Sequence, residues 1–140
     1  MIYGVDPGLK GSIAYRDGDR MRVAPLTDEW RPQAGDVVWI EETLAVPFRS
    51  VQSTSTTERN YGDLLRRIRD AGAELRSVHP RTWQSKIGIS KAKGEKTRSH
   101  KSRIAAAMRR VYPSIGEVAD ADSVGILHYG LRVLEAKRCD

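Results

Sequence analysis

Residues 1–15 read MIYGVDPGLKGSIAY, and the fold turns on how this opening is divided. Met1 to Val5 is a short apolar run that ends on a carboxylate, Asp6, and a turn of small residues from Gly8 to Gly11. Gly11 to Tyr15 and then Met21 to Ala24 resume a strand-like pattern, separated by Asp17-Gly18-Asp19, which suits a tight hairpin turn. The opening therefore predicts a three-stranded meander. An aspartate at a strand end beside glycines leaves the backbone open to an approaching phosphate, although an Asp that merely begins a turn gives the same local pattern.

Further along, Val37 to Ile40 (VVWI) is apolar throughout, as expected for a strand buried on both faces and placed centrally in a sheet. Glu41 and Glu42 follow it directly, and strand alternation lets only one of them point where Asp6 points. From Thr56 the pattern changes to three- and four-residue spacing, with Tyr61, Leu64, Leu65 and Ile68 apolar between arginines, and this predicts an amphipathic helix ending at Gly72. Glu74 to Val78 reads as another strand, stopped by Pro80, with Thr82 as the cap of a short helix that carries Trp83. A strand–helix–strand unit of this kind implies parallel pairing. Ser85 to Ser99 holds two glycines and mostly lysines, too little apolar material to bury, and is expected to be a mobile basic loop whose order depends on a ligand. Ile104 to Val111 predicts a helix halted before Pro113, and a last helix runs from about Asp122 to Lys137.

At 140 residues, with no internal repeat, the chain is expected to form a single domain over 1–140. The opening lacks the pattern of a secretory signal, and nowhere do 18 apolar residues follow one another, so no membrane partner and a cytoplasmic location are expected. The single cysteine, Cys139, has no internal partner for a disulfide and fits a reducing compartment.

The formal net charge is +6, and it is concentrated. Between Lys86 and Arg110 stand nine basic residues (Lys86, Lys91, Lys93, Lys96, Arg98, Lys101, Arg103, Arg109 and Arg110) against one acid, Glu95. That local excess is larger than the net charge of the chain, and such clustering favours a phosphate-backbone partner over an ordinary solvated face.

Asp6, Glu41 and the group Glu117, Asp120 and Asp122 ahead of the last helix are the candidate ligands of a metal. An unpaired carboxylate at the end of an apolar strand is costly unless a cation or hydrogen bonds meet it. Acids at a helix start also serve as caps and dipole partners, a competing reason for Asp120 and Asp122. Oxygen ligands without a histidine or cysteine cluster suit Mg²⁺ or Mn²⁺ and not structural zinc. The implied chemistry is two-metal phosphodiester hydrolysis, with two ions per active site. His79, His100 and His128 lack metal-ligand spacing, and all three read as structural or surface residues, His100 with a possible part in DNA contact. Trp39 and Trp83 read as core.

Five segments, in order, carry a resemblance: IYGVDPGLKGSIAY, VVWIEETLAVP, NYGDLL, VHPRTWQ and ADADSVGILHYG. Together they resemble phage-type RuvC-like Holliday-junction resolvases of the ribonuclease H-like superfamily, over nearly the whole chain. The resemblance implies an α/β, ribonuclease H-like fold with a five-stranded mixed sheet flanked by helices, a homodimer, and paired nicking of branched DNA at a four-way junction in a bacterial host cytoplasm. It implies that Asp6 is the first-strand metal ligand, Glu41 the second-strand acid and Asp122 the helix acid. The family's fourth acid stands three residues before the last, where this chain has Ala119; Asp120 is the favoured replacement and Glu117 the alternative. Lys101 matches a lysine before the family's penultimate helix, which contacts the scissile phosphate, supports the water or binds backbone. The DNA contacts expected are Lys86, Lys91, Lys93, Lys96, Arg98, Lys101, Arg103, Phe48 and Arg49, with Phe48 either an apolar wedge that unstacks junction bases or an ordinary packed side chain.

Two other activities remain open on the same residues: a ribonuclease H-type nuclease on RNA–DNA hybrids, which would use the same acids, and a non-catalytic junction-binding protein. The lysine-rich segment and PRTWQ favour the resolvase over the first, and the three matched acids count against the second. An actin-like ATPase shares the strand-end D-x-G but needs two such domains.

Overall fold

The computed structural model describes residues 1–8, 10–43 and 51–139, with the side chains of 51–58 outside the description. The opening meander forms as its alternation predicts: β1 (Ile2–Asp6), β2 (Ser12–Asp17) and β3 (Arg20–Pro25) pair antiparallel in sequence. β4 (Val37–Glu41) lies parallel to β1, and β5 (Glu74–Val78) parallel to β4, giving the order β3-β2-β1-β4-β5. The VVWI run is thus an interior strand, but the centre of the sheet falls to β1, which pairs antiparallel on one side and parallel on the other.

Helices cover both faces. On one, α1 (Val51–Asp70) packs Leu64 and Ile68 onto Val5, Ile13, Val38 and Ile40. On the other lie α2 (Pro80–Lys86), α3 (Thr97–Val111), a 3-10 turn at Pro113–Ile115 and α4 (Asp122–Arg138), whose Val124 and Leu127 join Trp39, Trp83, Ile104 and Met108 in a second core. No helix among the described residues is long and apolar enough to cross a membrane.

Three helix starts differ from expectation. α1 begins at Val51, upstream of Thr56. α2 is capped by His79 and not Thr82: the His79 Nδ1 accepts from the Arg81 N–H at 3.1 Å, and Pro80 takes the first helical position. Proline is suited to that position because its φ is preset and the N–H it lacks would have had no partner in the helix. α3 begins at Thr97, two turns before Ile104, because apolar periodicity marks only its packed half, while the first turns are basic and still helical.

What brings α4 onto the sheet is missing side chains. A Cβ at Gly4, in the middle of β1, would stand 2.3 Å from the Ser123 carbonyl oxygen and 2.6 Å from the Leu127 nitrogen. A Cβ at Gly125 would meet the Trp83 ring at 2.5 Å, and one at Gly130 the Trp39 ring at 2.5 Å. The helix therefore rests backbone to backbone on β1, and the Ser12 and Ser123 hydroxyls close the contact at 2.7 Å. Its first residue, Asp122, is carried to the end of β1, where Asp6 stands.

Candidate metal centre

Register aims the strand acids. Val5 lies opposite Ile40 across the parallel β1–β4 ladder, and both belong to the core beneath α1. The next residues, Asp6 and Glu41, therefore turn to the α4 face. After Asp6 the chain folds back sharply. The Gly8 N–H donates to Asp6 Oδ1 at 3.2 Å, and a Cβ at Gly11 would strike the Asp6 carbonyl oxygen at 2.3 Å, so that position requires glycine.

The helix acids arrive from α4. Asp120 lies just ahead of the helix and accepts the Asp122 N–H on Oδ1 at 3.0 Å, an Asx-type turn that satisfies an N-terminal donor. Among the described residues, Asp6, Asp120 and Asp122 form the group whose carboxylate oxygens lie within 4.8 Å of one another. Glu41 stands beside that group, with Oε2 accepting from the indole Nε1–H of the fully buried Trp83 at 2.6 Å. Glu117 is exposed and outside it.

One cation partly answers these charges. Lys101 Nζ donates to Asp120 Oδ2 at 2.8 Å and Asp122 Oδ2 at 3.1 Å. Asp122 is 8 % exposed, yet its Oδ1 is buried and has no hydrogen-bond partner among the described residues. A buried carboxylate oxygen with no donor is a costly arrangement that a bound cation relieves. The donor set is all oxygen, so the residues present fit a hard divalent ion.

The titration behaviour reflects this crowding. Burial, then the Asp122 charge, pushes Asp6 up to about 6. Burial also pushes Glu41 up to about 7, against the lowering effect of the Trp83 hydrogen bond and with the help of Asp122 and Asp6. Asp122 is raised by burial and by Asp120. Burial alone lowers the Lys101 ammonium, yet its hydrogen bond to Asp120 and the charges of Asp122 and Asp120 carry it above its usual value.

Lys86, Lys91, Lys93, Lys96 and Arg98 are exposed along the segment from the end of α2 into α3. Arg103 is committed to Glu95 through two hydrogen bonds, Nε to Oε2 at 2.7 Å and Nη2 to Oε1 at 2.6 Å. Phe48 and Arg49 lie outside the described residues. Two partners escaped the sequence reading. Trp83 is core, as expected, but it also donates to Glu41, 42 positions away. His100 is buried and donates Nε2–H to the Ile89 carbonyl at 2.7 Å. Neither pairing leaves a signal in local spacing.

No family model matches the chain, and no curated protein matches it. Solved structures do. A structure of Thermus thermophilus RuvC superposes with a TM-score of 0.56 at 14 % identity, over 94 % of this chain and 95 % of that one. A structure of T. thermophilus RuvC in complex with Holliday junction substrate gives 0.58 at 15 % identity, over 97 % and 95 %. At such identity the likeness is one of fold, and the chain has the α/β, ribonuclease H-like fold of RuvC, a five-stranded mixed sheet flanked by helices.

Proposed function

We propose that this chain is a divalent-metal-dependent endonuclease that resolves four-way DNA junctions by paired nicks, acting as a homodimer. The observation that carries the reading is the three-aspartate group, with one Asp122 oxygen buried and unpartnered, on the fold of a protein solved with a Holliday junction. Asp6, Glu41, Asp120 and Asp122 would hold two Mg²⁺ or Mn²⁺ ions, which supply a lowered water pKa and charge stabilisation at the leaving 3′ oxygen. Trp83 fixes the Glu41 carboxylate through Oε2 and leaves Oε1 for a ligand. Lys101 offsets the repulsion between Asp120 and Asp122 before any ligand arrives, and its ammonium would meet a phosphate oxygen of the bound DNA. The exposed lysines from Lys86 to Lys96 and Arg98 provide counter-charge along the DNA backbone. On this reading the protein is a phage-type RuvC relative, working in the cytoplasm of a bacterial host.

The test is to incubate wild type and Asp6→Asn with a mobile four-way junction, matched duplex and an RNA–DNA hybrid, in Mg²⁺, Mn²⁺ or chelator. Paired symmetric nicks in the junction alone, absent with chelator and in Asp6→Asn, are expected. Cutting of the hybrid in preference to the junction would move the chain to ribonuclease H-type chemistry, and junction binding without cutting in any metal would leave a binding protein.

A further inference from the structure

Residues 87–96 join two helices that both touch the acid group. α2 reaches it through Trp83, bonded to Glu41, and α3 through Lys101, bonded to Asp120 and Asp122. Composition predicts a loose segment here. Its backbone is instead tied to α3 from within. His100 donates to the carbonyl of Ile89, itself 7 % exposed, and Arg103 Nη2 donates to the Ser90 carbonyl at 2.8 Å. The two hydrogen bonds from Arg103 then grip Glu95, whose Oε1 also accepts the Ala92 N–H at 3.0 Å and closes the loop on itself. Planar two-bond pairing of this kind fixes direction as well as charge.

We propose that Glu95 and Arg103 form a clasp that holds the 87–96 loop preformed as a phosphate-binding surface, so that this lone acid strengthens DNA binding although its charge opposes it. The proposal rests on the nuclease reading above and adds positioning residues to it. A lysine-rich loop that is free in solution loses conformational freedom when it settles on DNA, whereas a loop already ordered loses little more, and the difference appears as affinity. Arg103 has its Nε and Nη2 donors engaged by Glu95 and Ser90, while Lys91, Lys93 and Lys96 of the same loop stay exposed. Held down to about 2 by Arg103 and the Ala92 N–H, Glu95 stays ionised at neutral pH and the clasp stays closed.

Charge arithmetic and the clasp predict opposite signs for one substitution. Glu95→Gln removes a negative charge from the loop, and Arg103→Gln removes a positive one beside it. If the two side chains act only through their charge, the first tightens junction binding and the second weakens it. If they form a clasp, both weaken it. The experiment measures binding of a labelled four-way junction in Mg²⁺ by the two variants, each in an Asp6→Asn background so that nothing is cut, and amide hydrogen exchange of residues 87–96 without DNA. The expected result is a rise in Kd of about tenfold for both variants, with loop exchange faster by a similar factor. Tighter binding by Glu95→Gln, or exchange unchanged in both variants, overturns the proposal. If Asp6→Asn itself shows no preference for the junction over duplex, the junction-resolving reading fails and the loop's role in junction binding fails with it; the exchange rates still report separately whether the clasp exists.

Discussion

The acid group and the basic loop are built in opposite ways from the same kinds of side chain. At the acid group the backbone does the positioning: Gly4, Gly125 and Gly130 let α4 press onto β1 and the two tryptophans, and the carboxylates are carried together whether or not their charges agree. One lysine bonds two of the three aspartates, and Asp122 keeps a buried oxygen without a donor among the described residues. In the loop the side chains do the positioning, because glycine and lysine leave little to pack, and its one acid is fully hydrogen-bonded. Charge is left unresolved where a cation is expected to bind and is resolved where a surface has to be held in shape.

The same acid-to-amide change should therefore have opposite effects in the two regions. Asp6→Asn is expected to abolish cleavage, by on the order of 10³-fold or more, since a metal ligand supports several kcal/mol of transition-state stabilisation. In chelator the same variant should be more stable than wild type, because it removes one of the repelling buried charges, whereas Glu95→Gln should be less stable. Urea midpoints of both variants check this, and a destabilised Asp6→Asn would show that the acid group is not strained. Gly4→Ala attacks the backbone contact. Its new methyl meets main-chain atoms of Ser123 and Leu127 that cannot rotate away, so a loss of roughly 1–3 kcal/mol is expected, seen as a lower denaturant midpoint. Trp83→Phe keeps a ring in the core but removes the donor to Glu41. It should weaken metal affinity or cleavage by about 10–100-fold with little change in fold, read by Mn²⁺ titration and junction cutting.

The two regions also differed in how far the sequence disclosed them. The strands, the helix periodicity of α1 and the order of the acids all depend on local alternation or spacing, and they were legible as such. That Asp120 and not Glu117 joins Asp6 and Asp122 was a preference only, because two residues' difference in a loop decides it and the Asx turn that aims Asp120 has no periodic signature. The loop departs from its composition for a physical reason. Its apolar content offers little to bury, whereas its backbone is tied by polar bonds to His100 and Arg103, 11 and 13 positions away from their partners. Long-range polar pairs of this kind, like Trp83 with Glu41, have no counterpart in composition or period.

The smallest expected effect is on the pH dependence of stability. Asp6 rises from 3.8 to about 6, and Glu41 from 4.5 to about 7, both chiefly through burial. A carboxyl whose folded pKa is raised stabilises the fold while protonated, and that contribution is lost as pH rises through the folded value. Without metal, the urea midpoint should fall between about pH 4 and 7 on account of these two groups, whereas the clasped Glu95, held low, changes charge below that window. His128, lowered chiefly by burial, acts in the opposite sense across part of the same range, so the comparison must be differential. Wild type minus Asp6→Asn isolates the aspartate. The variant's advantage in chelator should be absent well below pH 3.8, where Asp6 is protonated both folded and unfolded, should grow between about pH 4 and 6, and should level off above that. Saturating Mg²⁺ should reverse that advantage above the same pH, because the ion binds the deprotonated carboxylate and stabilises the folded state in proportion. An advantage independent of both pH and metal would mean that Asp6 does not share its charge with the group around Asp122.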